Sequence, residues 1–282
     1  MDVLPSRRHD LGDGMVVTRA LPAPGRRTVG PWCFVDVFGP VAVDGPERDV
    51  RPHPHIGLAT VTWLLSGAIV HRDSLGSVQP IRPGQLNWMT AGAGITHSEH
   101  FQPGDPLRGL QLWFALPEAH RADPPSFLHV PAVPTVSVGD ARCAVWCGAV
   151  AGVAGAVVPP HPAVGFEGRL DGAATLPLAP DFEHVVVWLD GAGRLDGEEL
   201  PLEQLVYLPV GTPAVTLTGT GTFVVLGGAP FGPLLLWWNF AARTRAEMVA
   251  AQERWESGGF AAVPDVVGRI PAPPVPPLVD AR

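Results

Sequence analysis

Two short stretches of this chain carry residue types that bind metals. The first is His53-Pro54-His55 and the second is His97-Ser98-Glu99. Each places two potential ligands at i and i+2, and on a β-strand such residues point to the same face. Two neighbouring strands built this way would aim three imidazoles and one carboxylate at a single point. Neutral imidazole is the commonest nitrogen ligand, and a carboxylate offsets part of a divalent charge. Four such groups leave two positions of an octahedral ion open to water, dioxygen or a chelating substrate. Iron(II) suits the set, and manganese, nickel, copper and zinc are also compatible with it. The set contains no thiolate, which argues against a structural zinc.

A lone His-x-His pair is weak evidence, because surface histidines meet that spacing by chance. Here five of the ten histidines fall between residues 53 and 100, which concentrates the signal in one region. His71, within His71-Arg72-Asp73-Ser74, reads as a hydrogen-bonding residue at a strand end, with support of the ligands from behind as its functional alternative. His100 follows Glu99 directly and would point away from it on a strand, so it is left out of the ligand set. Trp63, Trp88 and Met89 read as core, one of them able to line a pocket. Gly92-Ala93-Gly94 reads as a tight turn, since no strand–glycine loop–helix context makes it a phosphate cradle.

The elements that must position these residues are short strands. Gly and Pro number 33 each and lie scattered between apolar runs without a fixed period, as expected for many tight turns. Leu110, Leu112 and Phe114 alternate with Gln111 and Trp113, the period-2 signature of a strand. Similar segments are Thr60–Leu65, Ala68–His71 and Gln85–Met89. This spacing predicts a sandwich or small barrel. After the Pro-rich connector Pro124–Pro134 a second run of strands follows, and it echoes the first. Trp63-Leu64-Leu65-Ser66-Gly67 is matched by Trp188-Leu189-Asp190-Gly191, and Gln85–Met89 by Gln204–Leu208, in the same order. The reading is a duplicated β domain. The offsets that lead from Gly67 back to His53 and His55 lead from Gly191 back to Pro177 and Ala179. Those that lead from Gln85 to His97 and Glu99 lead from Gln204 to Thr216 and Thr218. The second copy therefore lacks the ligands. Near the end, Thr244-Arg245-Ala246-Glu247 fits a capping box, with Met248, Ala251 and Trp255 on one helical face and Gly258-Gly259 as the stop. The tail from Ile270 to Arg282 holds five prolines and reads as an extended strap or a disordered end.

Several function classes are disfavoured. The net charge is -8 and no basic run exceeds two residues, so nucleic-acid binding has little electrostatic support. No apolar stretch has the length of a membrane span, and the N-terminus lacks a signal-peptide core. The odd trio Cys33, Cys143 and Cys147 reads as buried structural thiols in a cytoplasmic protein.

The chain resembles the pirins, bicupins of the cupin superfamily. The residues that carry the resemblance are His53-Pro-His55-Ile-Gly57, His71-Arg-Asp73-Ser74, Trp88-Met-Thr-Ala-Gly92-Ala-Gly94-Ile95 and His97-Ser-Glu99. It continues through Leu226-Gly-Gly-Ala-Pro230 and Asn239-Phe-Ala-Ala-Arg-Thr244. The resemblance implies an all-β fold of two cupin domains with a C-terminal helix: a metal-binding domain at 1–135, a metal-free one at 136–240, and the helix and tail at 241–282. It implies one metal, usually iron, held by His53, His55, His97 and Glu99. One departure stands out: pirins commonly carry a Glu four residues after the second His, and here that position is Ala59. Some pirins are similar to quercetin 2,3-dioxygenases. The implied activity is then cleavage of a flavonol or related polyphenol with O2, with Glu99 as the base. Others act through protein partners, so the alternative is an iron-dependent redox-sensing regulator. The expected partners are a small aromatic substrate and O2, with the chain a monomer.

Overall fold

The computed structural model describes residues 2–10, 16–43 and 49–277. By contact the chain divides into two compact units that do not follow sequence order. One comprises residues 1–9, 17–37 and 130–231, and the other residues 10–16, 38–129 and 232–282. Among the described residues no helix is long and apolar enough to cross a membrane.

The unit that carries His53-Pro54-His55 and His97-Ser98-Glu99 is built from two antiparallel sheets. One has four strands in the order Val50–His55, Ile95–Phe101, Ile69–Asp73 and Val78–Ile81. In the other, Leu58–Ser66 lies between Leu86–Thr90 and Leu107–Ala115, with Ser126–Val130 beyond Leu86–Thr90. The alternation around Leu110 has its expected result. Val61 pairs with Trp88 and Leu112, whereas Thr60 pairs with Met89 and Trp113, so the two sets lie on opposite faces. Gly92 adopts φ 51°, and a Cβ there would run into the Asp123 carbonyl, so the turn before Ile95 needs glycine.

The helix Arg245–Glu256 forms in the same unit. Thr244 Oγ1 accepts from the Glu247 backbone N–H, as a capping residue should. Glu247 in turn accepts from the N–H of Arg243, one residue before the cap, and so differs from the usual reciprocal box. Met248, Ala251 and Trp255 are its buried face. The tail is a strap over its described length: Ile270 N donates to the Pro52 carbonyl, and Trp255 Nε1 donates to the Ile270 carbonyl. Residues 278–282 of that tail lie outside the described residues.

The other unit centres on two 15-residue strands, Ala163–Pro177 and Ala214–Gly228, paired along their whole length. Glu183–Trp188 pairs with Ala214–Gly228 on one side and Leu205–Leu208 on the other. This repeats the arrangement in which Leu58–Ser66 lies between Leu107–Ala115 and Leu86–Thr90, and so supports the duplication. Phe166, Trp188 and Phe223 anchor its core, where Trp188 and Phe223 stack at 5.7 Å. All three cysteines are buried, and burial pushes the Cys143 thiol up to about 11. Both facts fit structural thiols.

Candidate metal centre

The site begins with strand register. Val50–His55 and Ile95–Phe101 pair antiparallel, with His97 directly opposite His53 and Ile95 opposite His55. Residues opposite one another in such a pair share a face, and so do residues two apart. His53, His55 and His97 therefore project together. On the far side of the same strand His97 lies opposite Asp73 and Glu99 opposite His71, which puts these groups on that face as well.

The three imidazoles converge. One ligand atom from each of His53, His55 and His97 lies within 4.8 Å of the others. His55 Nε2 and His97 Nε2 are 3.1 Å apart. Two nitrogens bound at right angles, each about 2.1 Å from one ion, would be separated by about 3.0 Å. Backbone carbonyls fix the tautomers of two of the rings. His53 Nδ1 donates to Arg51 O and His55 Nδ1 to Asn239 O, both at 2.9 Å, which leaves each Nε2 with its lone pair. His97 Nδ1 is buried without a partner. Desolvation holds His53 down to about 4 and also lowers His55 and His97, for which the neighbouring imidazoles add to the effect. Buried, neutral nitrogens facing one another are what a divalent cation requires, so the residues present fit a metal.

Glu99 lies two residues beyond His97 and is not part of this converging group. The pairing with Val50–His55 shifts register between His97 and Glu99: His97 faces His53, but Glu99 faces Val50 rather than Arg51. Such a bulge re-aims a side chain relative to its neighbour. Glu99 keeps some contact with solvent, yet desolvation of its carboxyl raises its pKa to about 7.

The surroundings explain several other residues. His71 donates through Nε2 to Asp73 Oδ2 at 2.9 Å and stacks on Phe127 at 4.3 Å, with its ring 5.3 Å from that of His97. Burial opposes the charge on Asp73, but hydrogen bonds from His71 and Ser77 outweigh it and lower its pKa. The pair forms a fixed polar wall beside the histidine triad. His100 points elsewhere, to Ser98 Oγ and Asp49. Trp113 packs edge-on against His55 at 5.2 Å. Thr60, opposite Trp113, shares that face, whereas Ala59, opposite Phe114 and Thr90, lies on the reverse. The departure at Ala59 therefore removes nothing from the histidine side. Asn239 opens the Asn239–Thr244 stretch that carries the resemblance, though nothing in that stretch tells that its carbonyl holds His55. Trp113 carries no motif, although the alternation of Gln111 and Trp113 with leucines already sets those two apart from the core face.

Comparison with known proteins identifies the family. Residues 14–114 match the pirin family and residues 166–261 match the pirin C-terminal cupin domain. A Pseudomonas aeruginosa protein named "Putative quercetin 2,3-dioxygenase" is 39% identical, covering 98% of this chain and 91% of its own. A pirin-like protein of Caulobacter vibrioides is 38% identical, covering 91% and 93%. The crystal structure of a quercetin 2,3-dioxygenase from Acinetobacter baumannii superposes with a TM-score of 0.94 at 39% identity, covering 99% of this chain and 97% of that one. With two cupin domains and three converging histidines in the first, the chain belongs to the pirin family.

Proposed function

We propose that this chain is an iron(II)-dependent dioxygenase that opens a flavonol or a related polyphenol with O2. The observation that carries the reading is the convergence of three buried imidazoles, His53, His55 and His97, on one point. His53, His55 and His97 would hold the iron, with Glu99 as the fourth ligand. Bound iron would supply open positions at which a chelating substrate and dioxygen meet. Glu99 would accept the 3-hydroxyl proton of the flavonol. Trp113 and Phe127 give the surroundings an apolar, aromatic character suited to a flat ring system. Ring opening would consume one O2, release carbon monoxide and leave a depside.

The test is direct. Purified protein is assayed for metal content, stripped with chelator and reloaded with iron(II), then followed for oxygen-dependent loss of flavonol absorbance. Reloading restores the loss, and His53→Ala abolishes both metal retention and turnover. A protein inactive with iron and with each of the other compatible metals overturns the reaction. A His53→Ala protein with full metal content overturns the site.

A further inference from the structure

The unit without the histidine triad contains a cavity of about 530 Å³, within the size range of small-molecule sites. Among the described residues its lining has no Lys, Arg, Asp or Glu. Phe166, Phe182, Leu178 and a run of prolines supply its apolar walls. Pro177 and Ala179, the positions that the duplication offsets equate with His53 and His55, are part of the wall. The cavity thus includes the positions that the duplication equates with the histidine pair.

One polar side chain stands out in this lining. His184 is fully buried, and neither of its ring nitrogens has a partner. Burying such a group unpaired costs free energy, and the fold makes room for it. A Cβ at Gly227 would collide with the imidazole, so glycine stands opposite it in the paired strand. At the rim Val158 is 95% exposed, an apolar side chain left in water beside the opening.

We infer that this cavity is a second binding site, separate from the metal centre, for a phenol-class aromatic whose hydroxyl pairs with His184. A neutral imidazole offers one donor and one acceptor, and a phenolic hydroxyl offers the same in return. Flat prolines and phenylalanines suit an aromatic ring. The lack of charged groups disfavours a carboxylate or phosphate, which would enter without a counter-ion.

The probe is 2-naphthol, with naphthalene as the hydroxyl-free control, titrated by fluorescence into the full chain. The expected result is saturable binding of 2-naphthol, about tenfold tighter than naphthalene, the effect of one net hydrogen bond. His184→Leu removes that preference. Ala149→Trp, a change at an exposed lining residue, blocks entry without disturbing the core. His97→Ala binds as the wild type does, which separates this site from the metal centre. Equal affinity for the two probes overturns the proposal, as does unchanged preference in His184→Leu, unchanged binding in Ala149→Trp, or loss of binding in His97→Ala. If His184→Leu fails to fold, the probe ratio and Ala149→Trp decide.

Discussion

At the scale of single residues, spacing carried the three converging histidines because strand geometry converts i, i+2 into a shared face, and register brings both pairs together. Spacing could not carry the bulge between His97 and Glu99. An extra residue on one strand leaves no mark in the other strand's pattern, so the place of Glu99 beside the triad needed the three-dimensional register. Ala59 shows the same limit: counting from His55 identifies a missing glutamate, and pairing with Phe114 and Thr90 puts that position on the reverse face. A substitution follows from this. Ala59 is fully buried, so Ala59→Glu should not add a ligand. It should bury a carboxyl instead, at a cost of several kcal/mol unless a partner moves to meet it. Thermal unfolding should show a clearly lowered Tm, with metal stoichiometry by elemental analysis unchanged. A stable variant with altered metal content would show that position 59 does reach the centre.

At the scale of elements, the strand Val50–His55 depends on the tail that lies beside it. Ile270 hydrogen-bonds to Pro52, one residue from His53, and Trp255 of the helix holds the Ile270 carbonyl. The guanidinium of Arg269 lies 5.2 Å from the Trp255 ring. The helix and its buried face were legible from the capping pattern and the 3.6-residue period. The partner of the strap was not, because a proline-rich run has no periodicity to reveal what it crosses. Trp255→Ala should cost roughly 3–5 kcal/mol, the usual range for emptying a buried aromatic site. Ending the chain after Gly268 should cost less and act more locally. Hydrogen exchange should rise in residues 50–55, and metal should dissociate faster from the shortened protein. Unchanged exchange in that strand would show that the strap does not restrain it.

At the scale of the whole molecule, the duplication was legible because the two Trp-containing strands sit in equivalent pairings. The grouping of residues 17–37 with 130–231 was not, since local pattern says nothing about which unit a segment joins. The two units differ in what they bury: one holds a triad of imidazoles, the other a single unpartnered His184. Desolvation lowers His184 to about 4, against the weak opposing pull of Asp181. An unfolded chain takes up that proton near pH 6.5, so between about 4 and 6.5 the unfolded state binds more protons. The free energy of unfolding then rises with pH across this window. The neutral-histidine contribution is fully present above about 6.5 and is lost as pH falls toward 4. The histidines of the triad act in the same direction in metal-free protein, while Glu99, with its raised pKa, acts oppositely between about 4.5 and 7. Comparing chelator-treated wild type with His184→Leu cancels those shared contributions. Denaturant titrations at several pH values should show the stability difference changing by at most about 3 kcal/mol across the window, wild type losing more in acid. A difference independent of pH would mean that His184 takes up its proton in the folded state as readily as in the unfolded one, and so is hydrated rather than buried.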